Sequence, residues 1–273
     1  MLDVEQIDAD VELFLTDVGE VFAEFRQQDS GCQALGLRVE QDRWFVKFSV
    51  EQHAVPSLRR AAALHREVEH PSVIPLRNVI SLRNVSGSRS GLALVYPWVD
   101  GEVLYGAPGG GATQRLDAAG AHARFRALPV EEILASLDAV YDAHVAVAAS
   151  GFVAADLYDG CLIYDFPARR TWLCDLDEYR RGPFVLDQDR LPGSTRFMAP
   201  EEFRHGATID QRTTVFNLGR AAQVLLDEGD LQGRFRGGAV LAAVAAQATE
   251  RDPAGRYPSV AEFVDAWRSA AGS

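Results

Sequence analysis

A chain of 273 residues with 47% apolar content and a net charge of −12 can bury one large core or two smaller lobes. No apolar run approaches the ~18 residues that a membrane span needs. The surplus of carboxylates argues against nucleic acid as a partner, since phosphate-backbone binding depends on a surplus of Lys and Arg. The first ten residues are acidic where a signal peptide would be basic, so the expectation is a soluble, cytoplasmic protein with no membrane partner. The three cysteines, Cys32, Cys161 and Cys174, lack CxxC or Cys/His ligand spacing, which argues against a disulfide framework and a zinc site.

In chain order, residues 2 to 16 suggest an N-terminal helix. Residues 22 to 26, 34 to 40 and 44 to 49 read as strands, the last two joined by a polar turn at Gln41-Asp42. Residues 57 to 69 read as a helix ended by His70-Pro71, because proline disfavours helix at the residue before it. Strand patterns return at 79 to 83 and 91 to 96. The glycine-rich stretch 106 to 111 reads as a flexible insert. From residue 129 the period becomes helical, with Ile133, Leu134, Leu137, Val140, Tyr141 and His144 on one face. His144 is expected as a satisfied core or surface histidine and not a base. Residues 161 to 166 and 171 to 177 form a strand-turn-strand unit. Residues 213 to 226 place Val215, Leu218, Ala222 and Leu225 at core spacing, and Ser259 with Glu262 forms an S-x-x-E cap for a last helix. The fold class is α+β, a small sheet lobe followed by a larger helical lobe, with the connector near Pro97 to Gly101.

Lys47 is the only lysine among 27 basic residues. In the strand W-F-V-K-F-S it shares one side with Phe45, while Trp44, Val46 and Phe48 share the other. Arginine would serve equally well if the side chain only snorkelled from a half-buried strand. A compact ammonium is a different tool, a point charge that can approach phosphate oxygens.

Further along, Asp156 stands just before one strand of the 161–177 hairpin and Asp175 at the end of the other, so a short hairpin can bring both carboxylates to one cleft. One can orient or accept the proton of a hydroxyl, and the other can hold a hard divalent cation. G-S-T-R-F-M-A-P-E-E-F follows at 193 to 203 and R-D-P-A-G-R-Y-P-S at 251 to 259. In that order and at that spacing, the chain resembles a protein kinase domain of the bacterial eukaryotic-like Ser/Thr type, over about residues 20 to 270.

The resemblance implies a protein kinase-like two-lobe fold in one domain over 1–273. Its antiparallel N-lobe would span about 1–96, its hinge 97–101 and its mainly helical C-lobe 102–273. Lys47 corresponds to the strand lysine on the nucleotide phosphates. E-H-P-S-V-I-P-L at 69 to 76 resembles the stretch after the first large helix, and Tyr96 stands at the gatekeeper place. Pro97 offers a carbonyl but no N–H, leaving Val99 to donate one to the adenine. Asp156 corresponds to the catalytic-loop aspartate, and Asp175 in D-L-D to the metal-binding one. Ala199-Pro200-Glu201 reproduces A-P-E, with Glu201 and Arg256 matching the pair that ties the activation segment down. Ser30, Gly31 and Gly36 take the place of the glycine loop, and Ile163 and Cys174 stand at further nucleotide-contacting positions. ATP and Mg²⁺ are the implied cofactors, and a protein or peptide the implied acceptor.

The chain also departs from that pattern. Ala61 stands where the lysine's partner glutamate should be, and Ala154-Ala155 replaces His-Arg before Asp156. Tyr158 takes the place of a phosphate-binding lysine. Cys161 takes that of a metal-binding Asn, a poor exchange for a hard cation. Asp177 and Asp159 are the candidate replacement carboxylates. Two functions follow: an ATP- and Mg²⁺-dependent phosphotransferase acting on a hydroxyl, or a pseudokinase serving as a nucleotide-binding or scaffolding module. The cysteines map to one nucleotide cleft, with Cys32 expected as the most exposed thiol; the plainer reading is three small residues at tight positions.

Overall fold

The computed structural model describes residues 1–26, 30–83, 90–105, 117–229 and 231–272. The expected insert at 106–111 and the loop residues Gln28 and Asp29 lie outside them. By its contacts the chain divides into two compact units, Met1–Glu69 with Ile74–Asp100, and His70–Val73 with Gly101–Ser273.

The first unit runs β1 (Gln6–Ile7), α1 (Val11–Val18), β2 (Glu20–Phe25), β3 (Gln33–Val39), β4 (Asp42–Ser49), α2 (Val55–His65), β5 (Asn78–Arg83) and β6 (Ser90–Pro97). Among the described residues these strands form one sheet in the order β1-β5-β6-β4-β3-β2. Every pairing is antiparallel except β1 with β5, so the sheet is mixed. The alternation in β4 sorts its side chains as the sequence suggests. Val46 and Phe48 join Leu35, Leu37, Ile80 and Val95 in a core against Ile7, Val11 and Leu15.

Three local expectations shift. The N-terminal helix covers only Val11–Val18, because Asp10 caps it by accepting from the Leu13 N–H at 3.1 Å. Residues 6 and 7 extend the sheet instead, beside Asn78, whose side-chain amide donates to the Met1 and Val4 carbonyls. Helix α2 starts with Pro56 in its first turn and ends at His65, ahead of His70-Pro71. The β3–β4 turn sits at Glu40, at φ 55°, and Gln41.

The second unit runs β7 (Glu102–Val103), α3 (Ala121–Arg126), α4 (Val130–Ala149), β8 (Phe152–Val153), β9 (Leu162–Asp165), β10 (Arg170–Leu173), β11 (Arg180–Arg181), β12 (Phe184–Val185), β13 (Thr208–Ile209), α5 (Gln211–Leu226), α6 (Gly238–Ala248) and α7 (Val260–Ala271). Residues 70–73 belong here because the Leu173 N–H donates to the Ser72 carbonyl and Val73 bridges Leu173. On α4, Ile133, Leu137, Val140, Tyr141 and His144 are buried and Leu134 is half-buried. Tyr141 meets Phe263 and Trp267 edge-on at 5.1 and 5.3 Å, a cluster in which truncating one ring to alanine costs about 3–5 kcal/mol. Helix α5 buries Val215, Leu218, Ala222 and Leu225. Gly219 lets α6 approach, since a Cβ there would meet the Ala248 Cβ at 2.6 Å. Asp210 and Ser259 cap α5 and α7. The protein is therefore α+β, and among its described residues no helix is long and apolar enough to cross a membrane.

Candidate functional site

The carboxylates singled out in the sequence lie in the second unit, on loops bracketing the β9–β10 hairpin. Asp156 follows β8 with φ 60°, and Asp175 follows β10 with φ 58°. Left-handed backbone costs a non-glycine residue roughly 1–2 kcal/mol, and such strain persists where surrounding structure overdetermines it. The loop before Asp156 is held where the Ala154 N–H donates to the Thr214 hydroxyl at 3.0 Å, from the first turn of α5. The Cys161 thiol donates to the Asp156 carbonyl at 3.2 Å. The Cys174 N–H donates to the Cys161 carbonyl at 2.9 Å, extending the hairpin ladder to the residue before Asp175.

Tyr158 follows Asp156 by two residues and packs over Gly160, where a Cβ would meet its ring at 2.3 Å. Its ring lies edge-on to Tyr105 at 5.8 Å and to Phe197 at 6.5 Å. Burial first, then the neighbouring charges of Asp175 and Asp156, push its phenol well above the ordinary range, so it stays a neutral donor. The structure thus brings Asp156, Tyr158, Cys161, Cys174 and Asp175 together. Gly193 crosses over this cluster at φ 143°; a Cβ there would sit 3.3 Å from Asp156 Oδ1.

The candidate metal ligands separate by exposure. Asp175 is exposed, whereas Asp177 is buried. Asp159 is fully buried, with its Oδ2 3.6 Å from His122 Nε2, so it is a structural partner of that ring and not a free carboxylate. Cys161 is fully buried and its thiol is pushed well above its normal range, chiefly by desolvation, which leaves it protonated and unfit as a ligand for Mg²⁺. Among the described residues no group of three His, Cys, Asp or Glu side chains is arranged to hold a metal ion.

In the first unit, Lys47 is 6% exposed, on the sheet face opposite the core, flanked in register by Ala34 and Leu94. Ala61 is buried on α2 and brings no carboxylate. Beside Lys47 the same face is aromatic: Phe25 meets Phe45 at 5.7 Å, and Phe45 meets Tyr96 at 6.3 Å. Tyr96 also packs against His65, whose burial lowers its pKa to about 4. Trp98 donates its N–H to the Arg43 carbonyl, and Pro97 pairs with Trp44. Val99 is half-buried, and Ile163 and Cys174 are half-buried in the second unit.

The glycines expected to cradle phosphates each face a packed neighbour. Gly31, at φ 73°, makes room for His53, whose Nε2 would lie 2.5 Å from an added Cβ, and its carbonyl accepts from the Ser49 hydroxyl. Gly36 makes room for Trp98 and Phe22, whose ring atoms would lie 2.8 and 2.9 Å from a Cβ. The Ser30 hydroxyl accepts from the Cys32 N–H at 3.3 Å, closing a local turn. Cys32 is not the most exposed thiol: it is 1% exposed, and Cys174 is the half-exposed one. A loop residue is expected outside, but Cys32 leads into β3 and turns inward.

Sequence reasoning passed over Thr214, Gly193 and His122. The paired threonines opening α5 were the legible signal for the first, while nothing local marks the other two. No protein-family model matches the chain, and no curated protein sequence matches it.

Proposed function

We propose that this protein is an ATP-dependent phosphotransferase of protein-kinase-like, two-lobe fold, which passes the γ-phosphoryl group to a hydroxyl of a protein or peptide. One observation carries the reading: Asp156 and Asp175 are held in left-handed conformations on the two loops that bracket one hairpin, whose strands are tied together by the Cys174 N–H donating to the Cys161 carbonyl. Bound nucleotide with Mg²⁺ would supply the transferable group and neutralise its charge. Asp175 is the exposed carboxylate suited to hold that ion. Asp156 orients the acceptor hydroxyl and accepts its proton. Tyr158 offers a neutral phenol donor where a lysine would offer charge. Lys47 contributes a compact ammonium for phosphate oxygens.

The test is transfer of labelled γ-phosphate from ATP to Ser/Thr peptides and to the protein itself. Asp156→Asn is expected to lower the rate by about 10²–10⁴-fold, the usual contribution of a positioned acid or base. Equal rates in the two proteins would overturn the assignment. A second reading, a pseudokinase scaffold, is favoured by the packing of His53 against Gly31 and of Trp98 and Phe22 against Gly36, which leaves little of a phosphate cradle. Wild-type protein that transfers no phosphate would establish that reading.

A further inference from the structure

The second unit buries two oxygens that are acceptors without a donor. Glu202 is fully buried, and Asn217 on α5 is 1% exposed. Glu202 Oε2 accepts twice, from the Ala199 N–H at 2.6 Å and from Asn217 Nδ2 at 3.1 Å. Asn217 Nδ2 donates its other hydrogen to the Phe197 carbonyl at 3.0 Å. Each side chain then keeps one buried atom with no hydrogen-bond partner among the described residues, Glu202 Oε1 and Asn217 Oδ1. Reversing the Asn217 amide does not help, because it would set Oδ1 against the Phe197 carbonyl and Glu202 Oε2, both of them acceptors.

This division of partners is that of a carboxylic acid, not a carboxylate. In the neutral acid one oxygen is a carbonyl and accepts, while the other carries a hydrogen and donates. Here Oε2 takes both N–H groups and Oε1 takes none. Electrostatics agree. Desolvation is the largest influence and lifts the carboxyl from 4.5 to about 7, opposed by the Ala199 N–H and the Asn217 amide; Glu201 beside it raises the carboxyl further and Arg256 lowers it. Arg256 is already committed: its five N–H groups go to the Glu201 carboxylate and to the Glu250, Arg212 and Arg251 carbonyls. A second buried negative charge without a cation of its own is costly, and protonation removes it.

We propose that Glu202 is a neutral acid whose Oε1–H donates to Asn217 Oδ1, closing an acid–amide ring with the bond from Asn217 Nδ2 to Oε2, and that this ring is a pH-sensitive latch on residues 191–199. The same two residues hold both ends of that segment. The Leu191 N–H donates to the Glu202 carbonyl at 2.9 Å, and the Ala199 N–H and the Phe197 carbonyl are bonded to the ring. Between them lies Gly193, packed beside Asp156 Oδ1. Loss of the proton sets a carboxylate oxygen against the amide oxygen, so the ring opens and the cover over Asp156 loosens as pH rises through neutrality. The latch belongs to the fold and does not depend on phosphate transfer.

The experiment is an NMR titration of protein labelled at the glutamate carboxyl carbons and the asparagine side-chain nitrogens, on wild type and Glu202→Gln, joined to hydrogen exchange of residues 191–199 at about pH 5 and about pH 8.5. One glutamate signal, missing from the variant, is expected to titrate near 7, and the Asn217 amide signal to move with the same midpoint. In the wild type, exchange at the Leu191 and Ala199 amides, corrected for its intrinsic pH dependence, should quicken about tenfold or more between the two conditions. Glu202→Gln replaces the O–H by an N–H, keeps the ring closed at both pH values and should abolish that change. A Glu202 already ionised at pH 5, an Asn217 amide indifferent to the titration, or protection that falls equally in both proteins overturns the proposal. The shared midpoint is read on the wild type, so it decides even where the variant does not fold.

Discussion

Arg256 and Glu201, 55 residues apart, form a bidentate ion pair at 2.6 and 2.9 Å with both side chains essentially buried. The Thr213 hydroxyl donates to the same carboxylate at 2.8 Å, and Arg256 further donates to the Glu250 and Arg212 carbonyls. This network ties the A-P-E segment to the start of α5 and to the turn before α7. Removing one partner leaves an uncompensated buried charge, which costs about 3–5 kcal/mol. Glu201→Gln and Arg256→Met should each lower unfolding free energy by that order in urea titrations, and the double variant by clearly less than the sum. Single losses below about 1 kcal/mol would show that the pair is not what holds the segment.

Gly36 stands where an added Cβ would lie 2.8 Å from Trp98 and 2.9 Å from Phe22. Gly36→Ala would drive a methyl into Trp98, Phe22 and Ala23, and overpacking of that kind costs about 1–3 kcal/mol. Loss of stability with nucleotide affinity unchanged is the expected result. A stable variant that has lost nucleotide binding would restore the glycine to a phosphate-binding role.

The thiols should react in an order set by exposure. Cys174 is half-buried, whereas Cys32 and Cys161 are 1% and 0% exposed, and the Cys161 thiol is further protected by its raised pKa. Alkylation followed by peptide mass mapping should label Cys174 first in the folded protein, and the other two only on unfolding. Early labelling of Cys32 would contradict its placement.

Glu202 gives stability a specific pH dependence. Burial, opposed by the Ala199 N–H and the Asn217 amide, pushes its carboxyl from 4.5 up to about 7. The folded chain holds this proton more tightly than the unfolded chain. The stability it contributes is therefore full below about pH 4.5 and is lost as pH rises through 7, a difference on the order of 3 kcal/mol. His144 acts in the opposite sense: burial lowers its pKa to about 4, so its contribution is lost as pH falls from 6.5 towards 4. Comparing the wild type with Glu202→Gln at pH 5 and pH 8 isolates the glutamate. The variant should be the more stable at pH 8 and lose that advantage at pH 5; parallel curves would refute the shift.

What the sequence determined by itself is whatever depends on neighbours a few residues apart. The alternation of Trp44 to Phe48 sorts one strand into a core face and a Lys47 face. The 3.6-residue recurrence from Ile133 to His144 buries one side of α4, and Asp210 and Ser259 cap their helices. Asp156 and Asp175 were legible because a hairpin of fixed length links the loops that carry them. Only the tertiary structure decided the roles of residues whose partners are remote in sequence. Gly36 answers to Trp98, and Asp159 to His122. A glycine gives no local sign of the ring packed against it. A carboxylate likewise looks like a ligand until burial shows which charge it already serves, because such contacts are set by packing between segments and leave no local period to read.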